Sequence, residues 1–155
     1  MDDNIEELEG EDTTDDTSGL SFEEGEFRRY CEANEFDYDE LGMDEGDRKD
    51  FVKIKKRFMK AIKEKRLTVD GEKVLYTVSD RSPKEMAGTK LTISRPNGRT
   101  LLAMDGHKDT QQQTKLLSYM AALCRIPRNE ISKISSLDKK DHQIIQDIAM
   151  LFLTE

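Results

Sequence analysis

The chain of 155 residues is long enough for one ordinary domain, and its charged residues (37%) outnumber its apolar residues (35%). Residues 1–47 hold 20 of the 33 acidic side chains and two of the 25 basic ones, a formal charge of −18, whereas residues 48–155 carry +10. The whole-chain charge of −8 hides these opposed parts. Because the first residues are acidic and no apolar run approaches the roughly 18 residues of a bilayer span, we expect no signal peptide, no membrane anchor and a cytosolic protein.

The acidic part is predicted to contain two segments. Residues 1–19 are predicted to form a disordered acidic arm, because Asp, Glu, Thr and Ser dominate them. Residues 20–47 form an acidic leader with interleaved aromatic residues, and two interpretations of it stand: it folds on a partner, or it docks loosely over the basic domain of residues 48–155. The aromatic residues are Phe22, Phe27, Tyr30, Phe36 and Tyr38.

A helix is predicted over residues 48–65, with Asp47 or Asp50 as its cap. Its apolar stripe recurs every three or four residues and comprises Phe51, Ile54, Phe58 and Ile62. Its other face is basic and comprises Lys53, Lys55, Lys56, Arg57, Lys60 and Lys63. This face has three interpretations: a contact for nucleic acid or a membrane surface, a solvated helix face, or a partner for the acidic leader.

Strand signals follow this helix. Residues 67–78 are predicted to form a hairpin around Asp70-Gly71, a dipeptide that supports the positive backbone angles of tight turns. Residues 90–94 predict a further strand, and the proline, asparagine and glycine of residues 95–99 predict a turn. Residues 100–104 fit either a returning strand or the start of a helix.

The remaining residues are predicted to be helical. A helix over residues 110–125 is expected to be capped by Asp109, with Gln112 in the capping-box position, and to end at Ile126-Pro127. Its buried stripe is predicted to comprise Leu116, Leu117, Met120, Leu123 and Cys124.

Asn129 is expected to cap a short turn containing Ile131 and Ile134, and a last helix is predicted to begin at Ser136 or Asp138. The apolar side of this last helix comprises Ile144, Ile145, Ile148, Leu151 and Phe152. Helix, strands and helices in this order predict an α+β fold with a small antiparallel sheet flanked by helices.

Groups that could carry chemistry are few. His107 lies in a polar turn, His142 is expected to be exposed, and neither is at a metal-ligand spacing from another donor. Cys31 and Cys124 form no Cys-x-x-Cys unit and are expected to be free thiols, with Cys124 in the core. The chain contains neither a dinucleotide fingerprint nor a phosphate loop. We therefore expect a binding protein rather than an enzyme, with no cofactor and no metal.

Read together, residues 60–152 resemble the tail assembly chaperones of tailed bacteriophages and prophages, particularly those of contractile-tailed and Mu-like phages. The order of several short motifs carries the resemblance. These motifs are Leu67-Thr68-Val69-Asp70-Gly71, Val74-Leu75-Tyr76, Leu91-Thr92-Ile93-Ser94-Arg95-Pro96, Leu116-Leu117 through Leu123 to Ile126-Pro127, Leu137-Asp138-Lys139-Lys140-Asp141 and Leu151-Phe152-Leu153. The acidic leader is not part of this pattern.

The resemblance implies a non-enzymatic factor that coats the long tape measure protein in the host cytoplasm, is displaced as the tail tube polymerises, and is absent from the mature virion. Self-association would suit such a coat. The client is expected to bind to exposed apolar groups of the two C-terminal helices, because an amphipathic client helix seeks a hydrophobic groove. The candidate partner-binding residues are Met120, Ile145 and Phe152.

Two alternatives remain open at this point. In the first, the protein is a nucleic-acid-associated phage protein that contacts phosphates through Lys53, Lys56, Arg57, Lys60 and Lys63, with the acidic leader as an autoinhibitory competitor. In the second, it is a structural component of the phage particle. Nucleic-acid affinity that falls with salt would favour the first, and presence in purified virions the second.

Overall fold

The computed structural model describes residues 20–104 and 112–154. Its helices are α1 (Phe22–Ala33), α2 (Glu45–Lys63), α3 (Gly98–Leu102), α4 (Gln112–Leu123), α5 (Ser132–Ser135) and α6 (Lys139–Leu153). Its strands are β1 (Leu67–Asp70), β2 (Lys73–Thr77) and β3 (Lys90–Ile93). Single 3-10 turns lie at Glu40–Gly42 and Arg128–Glu130. The predicted α+β class is confirmed, whereas the predicted acidic arm, Asp109 and His107 lie outside the described residues.

The three strands form one antiparallel sheet in the order β1-β2-β3, as the hairpin and strand predictions required. Leu67 pairs with Tyr76, and Val74 pairs with Ile93, so the buried side chains of neighbouring strands lie side by side. Gly71 adopts a φ of 63°, the left-handed conformation that a tight hairpin turn needs at its first loop residue. One face of the sheet is therefore covered by helices, and the other carries exposed side chains such as Leu75.

The aromatic residues of the predicted leader lie at the centre of the core. The hydroxyl of Ser21 caps α1 by accepting a hydrogen bond from the Glu24 N–H at 3.1 Å. The ring centroid of Phe58 in α2 lies 5.0 Å from that of Phe27 and 5.3 Å from that of Tyr30. Because the apolar side of α1 packs into the same core as α2, the structure differs from the predicted division at residue 47.

Helix α2 begins one turn earlier than predicted. Asp44 is its cap, since its carboxylate accepts a hydrogen bond from the Asp47 N–H at 2.8 Å, and the proposed caps Asp47 and Asp50 lie inside the helix. Acidic residues in a first turn are favourable beside the positive end of the helix dipole, so the sequence offered several acceptable starts. The predicted stripe faces the core, with Phe51, Phe58 and Ile62 buried.

The region that local rules left undecided is helical. Asn97 accepts hydrogen bonds from the N–H groups of Arg99 and Thr100, and the Thr100 hydroxyl accepts one from the Asn97 N–H. This reciprocal cap starts α3 inside the predicted turn. Helix α4 ends at Leu123, and the positive φ of Arg125 (60°) lets the chain reverse before Pro127.

The last helix follows its prediction closely. Asp138 caps α6 by accepting from the Lys140 N–H at 3.1 Å, and the five predicted stripe residues are buried. The expected cap at Asn129 is wrong: this residue lies within the 3-10 turn, and neither that turn nor α5 has a side-chain cap. Helix α6 packs on α2 and α4 and so completes the core beside the sheet.

Candidate binding groove

A groove of about 510 Å³ lies between α2 and α6, beside the chain that follows α1. Its apolar lining comprises Phe36, Met43, Phe51, Ile54, Met150 and Leu151. Met43, Ile54 and Met150 are only partly buried, so their side chains remain accessible from the groove. Methionine side chains adapt their shape to different apolar partners, which suits a surface that binds helical segments. We call this feature the α2–α6 groove.

A bidentate ion pair joins α2 and α6 at the groove. The Arg57 Nε donates to Asp147 Oδ2 at 2.6 Å, and a terminal guanidinium nitrogen donates to Oδ1 at 2.9 Å. The Gln143 amide, one turn earlier on α6, also donates to Asp147 Oδ1 at 2.9 Å. The hydrogen bonds to Asp147 raise the pKa of Arg57, and the ion pair joins α2 to α6.

Exposed carboxylates surround the groove. Glu35, Asp37, Asp47 and Asp50 line it and are exposed, and we call them the acidic margin. Lys53 is the exposed cation of the lining, since Arg57 is paired with Asp147. The nearby Asp44 carboxylate is the main cause of the raised pKa of Asp47, which indicates a negative potential here. The groove therefore favours a ligand that combines apolar side chains with positive charge.

A smaller cavity of about 390 Å³ lies on the other side of α2, near α1. Lys55 lines it and donates to Glu24 at 2.9 Å and to Glu40 at 3.1 Å. Burial lowers the pKa of Lys55, but the hydrogen bonds to the two carboxylates outweigh it and raise the pKa. Lys55 was predicted to lie on the basic face. It instead links α2 to α1, because its side chain extends toward α1 and binds Glu24 there.

A second buried carboxylate on α6, Asp141, binds the sheet and the loop after it. Its oxygens accept from Tyr76 Oη at 2.5 Å, Ser79 Oγ at 2.8 Å and Ser82 Oγ at 2.6 Å, and from the Ser79 N–H at 3.2 Å. Burial would raise the pKa of Asp141, but these hydrogen bonds outweigh it and lower the pKa. Arg66, 3.7 Å away, adds a positive charge. With its acceptor sites occupied by the fold, this carboxylate is a structural clamp.

The three candidate partner-binding residues lie in the core. Met120 and Ile145 are fully buried, and the Phe152 ring contacts Phe36 with ring centroids 4.9 Å apart. The prediction that these groups are exposed is wrong, because α4 and α6 pack against each other and turn their apolar stripes inward. Partly exposed apolar side chains lie instead at the groove, where Met150 adjoins the buried stripe of α6. The most exposed apolar residues, such as Leu41, Phe22 and Leu102, lie outside the groove.

Most residues of the predicted basic face are exposed on α2, as expected. Lys53, Lys56, Lys60 and Lys63 are exposed on one side of α2, whereas Arg57 is committed to Asp147. The groove itself was not predicted from the sequence. The available signal was Asp147, a carboxylate inside the apolar stripe of α6, since a buried charge requires a partner.

The groups considered for chemistry do not form a site in the described part of the chain. Cys31 and Cys124 are free, as predicted, and burial raises the pKa of each thiol to about 12. His142 is half-buried rather than exposed, and burial lowers its pKa. Within residues 20–104 and 112–154, no group of three His, Cys, Asp or Glu side chains is placed to hold a metal ion.

Comparisons with protein-family models, with curated proteins and with solved structures find no match to this chain. None of the described helices combines the length and the apolar character needed to cross a bilayer.

Proposed function

We propose that this protein is a phage tail assembly chaperone that binds a helical segment of the tape measure protein in the α2–α6 groove, without catalysis. The observation that carries the proposal is the accessible methionine-containing apolar lining next to a row of exposed carboxylates. An amphipathic helix buries its apolar side in such a groove and keeps its polar side in water.

The chemistry of the groove defines the client further. Met43, Ile54 and Met150 would contact the apolar side chains of one or two turns of the client. The acidic margin would contact lysine or arginine residues that flank this apolar stripe. A long helical client with exposed apolar surface aggregates before assembly, so covering it segment by segment has a clear physical benefit.

The test is a pull-down of the tagged full-length chain from cells that coexpress the tail genes neighbouring its own, with nuclease treatment and mass spectrometry. We expect recovery of the tape measure protein that resists nuclease. Met150→Glu should abolish this recovery, because a carboxylate would enter the apolar lining. Leu153→Glu is the matched control, since Leu153 lies on the same helix, is exposed and does not line the groove.

Three other results would overturn the proposal or the part of it that concerns the groove. Recovery of nucleic acid that disappears with nuclease would support the nucleic-acid alternative, and presence of the chain in purified virions would support a structural role. Equal client recovery by Met150→Glu and the parent chain, with both folded by circular dichroism, would remove the groove from the interaction.

A further inference from the structure

A set of exposed lysines covers the outer side of α2 and the start of α6. These residues are Lys56, Lys60 and Lys63 of α2 with Lys139 and Lys140 of α6, and we call them the lysine face. The two helices meet here: the hydrogen bond from Arg66 is the main cause of the lowered pKa of Glu64, and the charges of Lys60 and Lys140 add to it. Cations of both helices therefore act on one region of the surface.

The lysine face forms no salt bridge with a carboxylate of the described residues. The acidic side chains that contact α2 are used elsewhere, since Glu24 and Glu40 bind Lys55 and Asp147 binds Arg57. Glu64, which interacts with the charges of Lys60 and Lys140, is bound by Arg66 at 2.8 Å.

We propose that the acidic arm, residues 1–19, docks on the lysine face of its own chain. The arm contains nine acidic residues and no lysine or arginine, so its charge complements that of the face. The acidic margin of the α2–α6 groove repels it, which directs it away from the groove. The arm thus screens the lysine face from polyanions, and the inference stands independently of the proposed function.

The length of the arm permits this contact. It joins the described chain at Leu20, immediately before α1, whose Glu24 already contacts α2 through Lys55. An extended segment of this length spans up to about 60 Å, at roughly 3.3 Å per residue. Helix α2, at about 1.5 Å per residue, is only about 28 Å long. The whole lysine face therefore lies within reach, and the tether keeps the arm at a high effective concentration.

The docking is expected to be multivalent and sensitive to salt. Each exposed ion pair contributes little by itself and is screened by added salt. Several such pairs formed by a tethered arm nonetheless compete with an external polyanion for the same cations. The arm is then an intramolecular competitor that an external polyanion must displace.

The test places a spin label on the arm of the full-length chain through Thr13→Cys and measures the broadening of backbone amide signals. Cys31 and Cys124 are buried, and labelling of the parent chain controls for their reaction. At low salt we expect broadening over residues 56–63 and 139–140. The broadening should be lost at about 0.5 M salt, where the screening length is only a few ångströms.

Matched charge variants make the test specific. Lys56→Gln, Lys60→Gln and Lys63→Gln together should remove the broadening, whereas Lys73→Gln, Lys84→Gln and Lys90→Gln together should preserve it. The control lysines are also exposed, but they lie on the sheet and the loop before β3. Broadening that survives the first set, or that spreads equally over the sheet, would overturn the proposal, as would broadening confined to the α2–α6 groove.

A binding experiment with heparin as the probe supplies an independent result. Replacing the nine acidic residues of the arm by their amides in the full-length chain should raise heparin affinity on the order of ten-fold at low salt. Equal affinity of this variant and the parent would contradict the docking. Neither experiment contains a client protein, so either can fail without affecting the groove proposal.

Discussion

Two buried carboxylates on helix α6, Asp141 and Asp147, have different environments. Asp141 is 0% exposed and receives hydrogen bonds from hydroxyl groups and a backbone N–H. Asp147 is 3% exposed and is bound by the guanidinium of Arg57, whose side chain remains 41% exposed. The first site joins α6 to the sheet and the loop behind it, and the second joins α6 to α2 at the groove.

This difference shows how one helix serves both the fold and the candidate site. The groups that donate hydrogen bonds to Asp141 are mostly buried and cannot swing out into water. Loss of the carboxylate would therefore leave several buried polar groups without a hydrogen-bond partner. Asp147 pairs with Arg57, whose long side chain can place its charge back in water. Loss of this ion pair should therefore lower the free energy of unfolding by less. Stability is therefore expected to depend mainly on Asp141, and the shape of the groove on Asp147.

The largest expected effect is that of Asp141→Ala. It removes the acceptor for Tyr76, Ser79 and Ser82, so the free energy of unfolding should fall by about 3–5 kcal/mol. Urea unfolding followed by circular dichroism measures this change. Asp80→Ala is the control, because Asp80 is exposed in the same loop and should change stability by no more than about 0.5 kcal/mol. A similar effect of both variants would contradict the clamp.

Acid should weaken the same clamp by protonating Asp141. Because the pKa of Asp141 is lower in the folded chain than its ordinary value of about 3.9, its contribution is complete above that value and is lost as the pH falls through the folded pKa. Urea unfolding between pH 6 and pH 2.5 should show this loss, and Asp141→Asn should show a smaller slope below pH 4. Equal slopes would mean that other carboxylates control acid unfolding.

A smaller effect is expected for Arg57→Met, which keeps an apolar stem but leaves Asp147 with only Gln143 as donor. Because Arg57 is partly exposed, we expect a loss of about 1–2 kcal/mol in the free energy of unfolding. The double variant Arg57→Met with Asp147→Leu should recover much of that loss in the same measurement. Failure of this recovery would show that the pair itself, and not the uncompensated charge, matters.

The smallest expected effect is that of Tyr76→Phe, which removes one of the donors to Asp141 and keeps the ring. The expected loss in the free energy of unfolding is about 1 kcal/mol, the usual net value of a buried hydrogen bond. Tyr38→Phe is the control, since its hydroxyl donates to Glu32 at the surface and should contribute little. If Tyr76→Phe lowered the free energy of unfolding as much as Asp141→Ala, the stabilisation by Asp141 would come from this hydrogen bond alone.

Elements with strong local signals could be predicted from the sequence. The glycine of the hairpin, the stripe of α2 and the stripe of α6 each follow from the spacing of a few neighbouring residues. The sequence did not indicate as clearly that α1 would pack into the core. Phe27, Tyr30 and Cys31 do have helical spacing, but the many acidic residues between them suggested a solvated segment.

The candidate site depended on contacts that no local pattern contains. Arg57 and Asp147 are 90 residues apart in the sequence, and Ser79 and Asp141 are 62 apart. Periodicity identified the apolar side of α4 and α6, yet it does not state whether another part of the same chain covers that side. Met120 was placed both in the predicted buried stripe and among the candidate partner-binding residues, and it is buried, whereas Met150 at the edge of the α6 stripe is partly exposed.

The two enclosed thiols give the chain its own reporters of local opening. Cys31 lies in α1 and Cys124 directly follows α4, and neither reacts readily as a protonated, buried thiol. Alkylation at Cys31 therefore requires α1 to leave the core, and alkylation at Cys124 requires the end of α4 to open. The ratio of the two alkylation rates under native conditions expresses how independently the acidic helix and the basic remainder of the domain fluctuate.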